Sequence, residues 1–272
     1  METPSEKDVS VALGKAQGFL AGQGASLELL RLEVRLDERP RSELEQALAP
    51  VWEEKDADAC VALEVLETLA DAGCLRGGLS DLVAERLPAS QRPDGSWHPP
   101  GSAVIGDRNR LAVGPRDPLF LTAMLGAFLG RTARSRMAPL RAAGGYLARH
   151  WSPELVQSGS WHAICGYAHF FSNVPHEISD AVLQWCGREM ERAFRVGAFD
   201  AVRAARIFTL CDAHALPGAK LDAIELVGAL LRTQSADGGW TAATTPGRVS
   251  DTLWAALALV GLGARSKRRA PR

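Results

Sequence analysis

Apolar residues recur along this chain at intervals of three and four, the spacing that places them on one face of an α-helix. Alternation with a period of two, which would indicate half-buried strands, is nowhere of comparable strength. The pattern therefore predicts an all-α chain of about twelve helices, each of ordinary length for a globular protein. The predicted helices span residues 6–22, 26–36, 41–53, 56–73, 79–90, 117–131, 136–151, 161–172, 176–195, 199–215, 218–234 and 250–263.

The predicted helices alternate in character. One set is rich in apolar and small residues, whereas the helices between its members carry a more polar face. We expect the apolar set to form an inner layer of parallel helices whose N-termini share one rim. This set comprises residues 56–73, 117–131, 161–172, 199–215 and 250–263.

Two short segments repeat almost the same sequence, and each lies between two predicted helices. They are Gln91–Trp97, which reads QRPDGSW, and Gln234–Trp240, which reads QSADGGW. The Asp-Gly pair favours a tight turn, the tryptophan buries a large surface, and the glutamine can reach backbone groups at a neighbouring helix end. A partial copy at Gln157–Trp161 lacks two of the intervening residues, and a weaker candidate around Gln23 retains only the glutamine and a glycine.

The repeat resembles the QW motif of the terpenoid cyclase and protein prenyltransferase superfamily, in which a glutamine, an acidic residue before a glycine, and a tryptophan have this spacing. The resemblance implies an α/α toroid of about six helix pairs arranged as an inner and an outer ring. It also implies that the repeats are structural braces outside the active site. We therefore expect Trp97 and Trp240 to be mostly buried.

Composition and charge restrict the function further. With 272 residues, of which 46% are hydrophobic and 23% are charged, the chain can form one sizeable core, and we expect a single domain over residues 1–264. A net charge of −1 gives no electrostatic basis for binding nucleic acid. The one basic cluster, residues 265–272, is expected to be a solvated, disordered tail.

The chain termini and the cysteines predict the localisation. The N-terminus is polar and acidic, and no apolar run reaches the roughly 18 residues that a membrane span needs. The cysteines are odd in number and scattered through apolar helical runs, which is typical of buried thiols in a reducing compartment. We therefore expect a cytoplasmic protein without a membrane span, and the sequence leaves its oligomeric state open.

Acidic and polar residues gather at the predicted starts of the inner helices. Capping explains such residues, because Asp and Ser are preferred at helix N-termini. Their convergence on one mouth of an apolar barrel would also form a binding pocket, in which Asp117 and Asp251 are candidate substrate contacts. The set contains Asp56, Asp58, Arg116, Asp117, His162, Asp200, Ser250 and Asp251.

Two of these acids carry a further resemblance. The segment from Asp56 to Cys60 begins an inner helix as the D-x-D-D-T-A motif does in class II terpenoid cyclases, although Ala59 and Cys60 replace the fourth and fifth residues of that motif. The resemblance implies that Asp58 protonates an alkene or epoxide and that Asp56 is its partner carboxylate. Such a pair in an apolar pocket raises the pKa of one carboxyl, which can then stay protonated and donate. Ordinary capping by Asp58 is the alternative.

The inner helices also supply aromatic residues, whose ring faces could stabilise a cation. Core packing at helical spacing is the alternative role for most of them. The chain has no D-D-x-x-D run, so its sequence gives no support for metal-dependent ionisation of a diphosphate. The aromatic candidates for substrate contact are Phe120, Tyr167, Phe170, Phe208 and Trp254, and the same helices also carry Phe128 and Phe171.

Histidine and cysteine offer a second chemistry on the predicted helix over residues 161–172. His162, Cys165 and His169 lie on one face of this helix, and both residue types bind zinc. No second helix supplies an identifiable ligand at the same depth, so we expect no metal and no other cofactor. His169 then remains a candidate general base, and His162 a candidate substrate contact at the rim.

The sequence thus predicts a small enzyme similar to terpenoid cyclases, which binds an apolar isoprenoid or polyene and uses acid chemistry at Asp58 for cyclisation or isomerisation. Two alternatives remain. One is a non-catalytic toroid that binds a hydrophobic ligand or a protein partner, with the acids acting as caps. The other is a carbohydrate-active α/α-barrel enzyme with paired carboxylates. A shortage of rim tryptophans disfavours this last alternative, because Trp97, Trp161 and Trp240 are assigned to the repeats.

Overall fold

The computed structural model describes residues 4–53, 58–101, 113–240 and 244–266. Within these ranges the chain is all-helical and forms no strand. A 3-10 helix, Leu87–Ser90, directly follows α5. The α-helices are α1 (Glu6–Gly22), α2 (Ser26–Arg35), α3 (Arg41–Glu53), α4 (Ala59–Asp71), α5 (Gly78–Arg86), α6 (Pro118–Arg131), α7 (Met137–Arg149), α8 (Pro153–Gln157), α9 (Trp161–Asn173), α10 (Ser179–Arg195), α11 (Ala201–Leu210), α12 (Ala223–Thr233) and α13 (Thr245–Ser266).

Each predicted helix is confirmed, and the bounds of α1 and α3 agree to the residue. The helix predicted over residues 199–215 ends at Leu210, because Asp212 has a φ of 53°, which a right-handed helix does not accommodate. The helix predicted from residue 250 starts five residues earlier, where the hydroxyl of Thr244 accepts a hydrogen bond from the backbone N–H of Gly247. The short helix α8 is not predicted, because five residues are too few to show a helical period.

Contacts between helices divide the chain into two compact units, the middle unit of residues 41–189 and the terminal unit of residues 1–40 and 190–272. In the middle unit, α6 is buried along almost its whole length and packs against α4, α7 and α9. In the terminal unit, α13 packs against α1, α2, α11 and α12. Because α13 continues to Ser266, the part of the predicted basic tail that follows it lies outside the described residues.

Helices of the apolar set run in the same direction, as predicted, in the two pairs whose side-chain contacts define their order. Contacts follow the same order along both members of a pair, which places the two N-termini at the same end. Along α6 and α9 these contacts join Phe120 to His162 and Gly126 to Phe170, and along α11 and α13 they join Arg206 to Trp254 and Thr209 to Gly261. Among the described helices, none combines the length and apolarity that crossing a membrane requires.

The two full repeats fold into the same brace, which begins with the side-chain amide of the glutamine. This amide donates one hydrogen bond within its own turn and a second to a neighbouring helix. We had expected the acceptors to be carbonyls that a helix end leaves open. Instead, Pro139 lies in the first turn of α7 and Ala12 in the middle of α1, and each carbonyl can accept this bond because its oxygen has two lone pairs. Gln91 donates to the carbonyls of Gly95 (2.9 Å) and Pro139 in α7 (3.0 Å), and Gln234 donates to those of Gly238 (2.9 Å) and Ala12 in α1 (2.9 Å).

The turn glycine lets the brace approach the neighbouring helix closely. Gly95 and Gly238 have φ values of 92° and 93°, a left-handed conformation that favours glycine. A β-carbon at either position would also overlap a backbone carbonyl, that of Ala142 in α7 or that of Lys15 in α1. Glycine is therefore required at both positions for two separate reasons.

The tryptophan completes the brace by joining the helix before the turn to the helix after it. Trp97 and Trp240 are 0% and 1% exposed, which confirms their predicted burial. Their indole N–H groups donate to the carbonyls of Leu87 (3.2 Å) and Leu230 (3.0 Å), and their backbone N–H groups donate to the hydroxyls of Thr122 (2.9 Å) and Thr252 (3.1 Å).

The partial copy at Gln157–Trp161 does not form a brace. Ser160 caps α9, and Trp161 is the first residue of that helix. The ring of Trp161 is half-buried and contacts Phe120 and His162. Because two residues are missing from this copy, its tryptophan lies at a helix start and not behind the turn, and its assignment to the repeat structure is wrong.

Candidate functional site

Asp58 lies at the N-terminus of α4, where its carboxylate accepts a 2.7 Å hydrogen bond from the backbone N–H of Cys60. The thiol of Cys60 hydrogen-bonds to the same carboxylate. Burial and the charge of Asp58 raise the pKa of this thiol, whereas Arg116 opposes the change. Asp58 therefore caps the helix, and its expected partner, Asp56, lies outside the described residues.

Capping also accounts for two other acids at helix starts, Asp117 and Asp200. The Asp117 carboxylate accepts a 2.8 Å hydrogen bond from the backbone N–H of Leu119 and so caps α6. The Asp200 carboxylate caps α11 in the same way, with a 2.8 Å hydrogen bond from the backbone N–H of Arg203. Both acids thus satisfy backbone donors that would otherwise lack a partner at the start of the helix.

The aromatic candidates fall into two groups. Phe120 and His162 lie together at the N-terminal ends of α6 and α9, with ring centroids 5.0 Å apart and nearly perpendicular planes. Tyr167, Phe170 and Phe208 are instead buried in the core, each at most 1% exposed. The Tyr167 hydroxyl donates a 3.1 Å hydrogen bond to the carbonyl of Leu147 in α7, so its polar end is held by the neighbouring helix.

His169, a residue of α9, is fully buried against α6. Its ring lies 4.6 Å from that of Phe128, and its Nδ1 atom lies 3.4 Å from the sulfur of Met124. Cys165, on the same helix, is also fully buried. In the part of the chain that the structure describes, no group of three or more His, Cys, Asp or Glu residues is placed to hold a metal ion.

Asp251 differs from the other acids because it is not a helix cap. It lies in the second turn of α13, half-buried, and interacts electrostatically with Asp200 and Arg203 at the start of α11. Burial is the main cause that raises the pKa of Asp251 to about 6, the charge of Asp200 raises it further, and Arg203 opposes the shift. A carboxyl in this environment remains partly protonated near neutral pH.

One turn further along the same two helices, Arg206 lies over the ring of Trp254, with 5.1 Å between the guanidinium carbon and the ring centroid. Arg206 is 2% exposed, whereas Trp254 is half-buried. Asp251 and Trp254 are among the residues predicted from the sequence, whereas Arg203 and Arg206 are not. The spacing of the two arginines could have identified them, because residues three apart share a helix face, as Arg203 and Arg206 do on α11.

Comparison of this chain with protein families, with curated proteins and with solved structures gives no match. The chemistry of the site therefore rests on its own residues. A half-buried carboxyl with a pKa of about 6, beside a second carboxylate, can donate a proton near physiological pH and take it back.

Proposed function

We propose that this chain is a small acid-catalysing enzyme of the terpenoid-cyclase type, whose helices form an α/α toroid and bind an apolar isoprenoid or polyene. The observation that carries this proposal is the pairing of Asp251, in the second turn of α13, with Asp200 at the start of the parallel helix α11. The resemblance of both braces to the QW motif supports the choice of reaction class, since each brace makes the same set of hydrogen bonds.

The terminal unit supports the toroid. There the first helix, α1, packs against the last, α13, and accepts the hydrogen bond from Gln234. In the middle unit the corresponding acceptor lies in α7, the helix that follows α6 in the chain. The first helix of the chain thus occupies the place that a helix after α13 would fill, which is the relation that a closed ring of helix pairs requires.

In the proposed reaction, the protonated carboxyl of Asp251 adds its proton to one carbon of a C=C bond and leaves a cation at the other carbon. The negative charge of Asp200 stabilises this cation. Loss of a proton from a neighbouring carbon to Asp251 restores the acid and gives an isomerised or cyclised alkene. Asp251 takes this role in place of Asp58, because two hydrogen bonds from Cys60 occupy the carboxylate of Asp58.

Incorporation of solvent deuterium tests this function. The purified protein is incubated in D₂O with squalene or geranylgeraniol, and the recovered lipids are analysed by mass spectrometry. Protonation of carbon by the enzyme places deuterium on the carbon skeleton, which passive binding does not. We expect incorporation with the unmodified protein and a loss of at least about 100-fold in Asp251→Asn.

Asp222→Asn is the matched control for that experiment. Asp222 caps α12 with a 2.9 Å hydrogen bond from the backbone N–H of Glu225, so its substitution alters a cap without altering the carboxyl pair. Asp58→Asn tests the assignment made from the sequence. Incorporation that survives Asp251→Asn but not Asp58→Asn would reject Asp251 as the acid.

A second candidate function is passive binding of a hydrophobic ligand. It is favoured by the capping bonds of Asp58, Asp117 and Asp200, because a carboxylate that holds a helix end needs no chemical role. In this case radiolabelled squalene would bind the protein without deuterium incorporation, and Asp251→Asn would bind it as well as the unmodified chain does.

A further inference from the structure

A groove of about 440 Å³ lies in the surface of the terminal unit between α1 and α12. Three basic side chains line it, those of Lys7, Lys15 and Arg232. Its lining also contains the apolar side chains of Val11 and Leu231, and Val11 is 50% exposed. The volume lies within the range of small-molecule sites, and the lining joins positive charge to apolar surface.

The brace of the middle unit provides an internal comparison for this groove. The indole N–H groups of the two braces bind the carbonyls of Leu87 and Leu230, so Glu85 corresponds to Gly228, two residues earlier. The glutamines bind the carbonyls of Pro139 and Ala12, and a basic residue precedes each acceptor by five residues: Arg134 in the turn before α7 and Lys7 in the first turn of α1.

The two braces differ in charge at the position of Glu85 and Gly228. In the middle unit, the Arg134 guanidinium forms ion pairs with Glu85 (3.8 Å) and Asp81 (3.6 Å), which neutralise it. In the terminal unit, glycine replaces the glutamate, and Lys7 has no carboxylate at the position equivalent to Glu85. The terminal brace therefore keeps an open groove where the middle brace has an ion pair.

Among the residues that the structure describes, the positive charges of the groove exceed the negative charge of its lining. Within the described residues, Lys7, Lys15 and Arg232 form no ion pair, and the acid that lines the groove, Asp8, is engaged in the capping box of α1 with Ser5. Three cations and one acid leave a net charge close to two, which matches the charge of a phosphate monoester at neutral pH.

We propose that this groove binds a small soluble ligand with a phosphate group and an apolar chain. Lysine and arginine form charge-assisted hydrogen bonds to phosphate oxygens, and Val11 and Leu231 offer apolar contact to the adjoining chain. The site is separate from the carboxyl pair of Asp251 and Asp200, and it does not depend on the reaction proposed for that pair.

Calorimetric titration of the full chain with dodecyl phosphate, kept below its micelle concentration, tests this site. The decisive variant is Gly228→Glu, which introduces the glutamate of the middle brace. A β-carbon at position 228 would lie 3.2 Å from a guanidinium nitrogen of Arg232, so the new carboxylate can pair with it, and glutamate favours a helix more than glycine does. We expect saturable binding to the unmodified chain and affinity at least about tenfold weaker in Gly228→Glu.

The double variant Lys7→Gln/Arg232→Gln should weaken binding by a similar factor without adding a new group to the groove. Lys220→Gln, which changes an exposed lysine outside the groove, should leave the affinity unchanged. Inorganic phosphate should bind more weakly than dodecyl phosphate, because it lacks the apolar chain.

Equal affinity in Gly228→Glu and the unmodified chain would overturn the proposal. Binding to phosphatidylcholine vesicles that contain phosphatidic acid, without binding to dodecyl phosphate, would also overturn it and would indicate a membrane surface as the partner.

Discussion

The candidate acids differ in how far their roles depend on residues distant in the chain. Asp58, Asp117 and Asp200 bind backbone N–H groups two or three residues away, and this local rule can be read from the sequence. The surroundings of Asp251 are set by packing of α13 against α11, which brings together residues that are far apart in the chain. Sequence reasoning places Asp251 at a helix start, whereas α13 begins at Thr245 and holds Asp251 in its second turn, and the sequence alone cannot give the raised pKa.

This raised pKa predicts a pH dependence of the free energy of unfolding. The pKa of Asp251 is about 6 in the folded protein, against about 3.9 for an unfolded chain, so the folded state binds this proton more tightly. Its stabilising contribution is fully present below the unfolded pKa and is lost as the pH rises through 6. Asp251→Asn should therefore be more stable than the unmodified chain near pH 8, on the order of 1 kcal/mol after allowance for solvent screening, but not near pH 4.

Urea unfolding of both proteins across this pH range measures the difference. Asp222→Asn serves again as the control, because it changes a helix cap outside the carboxyl pair and should show no such pH dependence. A stability difference between Asp251→Asn and the unmodified chain that stays constant from acid to alkaline pH would show that burial does not raise the pKa of the Asp251 carboxyl.

Helices and braces are the features that the sequence predicts most completely. Apolar spacing locates the helices, and the Asp-Gly-x-Trp pattern locates both brace turns, because each signal is contained within a short segment. The partners of the braces lie elsewhere in the chain. Arg149 and Arg248 each bind the turn aspartate of a brace, Asp94 or Asp237. Each arginine also lies over an aromatic ring seven residues after the glutamine's acceptor, Tyr146 or Phe19, yet one arginine comes from α7 and the other from α13. No short pattern encodes such a pair.

Truncation of either brace tryptophan should destabilise the protein strongly. Trp97→Ala and Trp240→Ala each remove a fully buried ring and its hydrogen bond to a helix carbonyl, and we expect each to lower the free energy of unfolding by about 3 to 5 kcal/mol. Denaturant midpoints measure the effect. Trp185→Ala is the matched control, because Trp185 is only half-buried on α10 and should tolerate truncation much better. Midpoints close to that of the control in both brace variants would contradict a bracing role.

The same brace forms twice in the chain, with very different sequence separations between the glutamine and its acceptor in the neighbouring helix. Gln91 and its acceptor in α7 are 48 residues apart, whereas Gln234 and its acceptor in α1 are 222 residues apart. The entropy lost on closing a loop grows with the logarithm of its length, so the terminal brace costs about 1.4 kcal/mol more to close. The hydrogen bonds of the glutamine and of the tryptophan are the same in both braces, whereas the length of chain between each glutamine and its acceptor differs. We therefore expect the terminal brace to form later during folding.

A circular permutant that starts at Arg41 and ends at Pro40, with residue 272 joined to residue 1 by a short flexible linker, removes this difference. Its new ends lie between α2 and α3, and its terminal brace closes a loop of about 50 residues plus the linker, close to the length in the middle unit. Pulse-labelling hydrogen exchange during refolding then compares the backbone amides of Trp97 and Trp240, each of which donates to a threonine hydroxyl. In the natural chain the amide of Trp97 should gain protection first, and in the permutant the two amides should gain it together. Simultaneous protection in the natural chain, or an unchanged delay for Trp240 in the permutant, would show that loop length does not set the order in which the braces form.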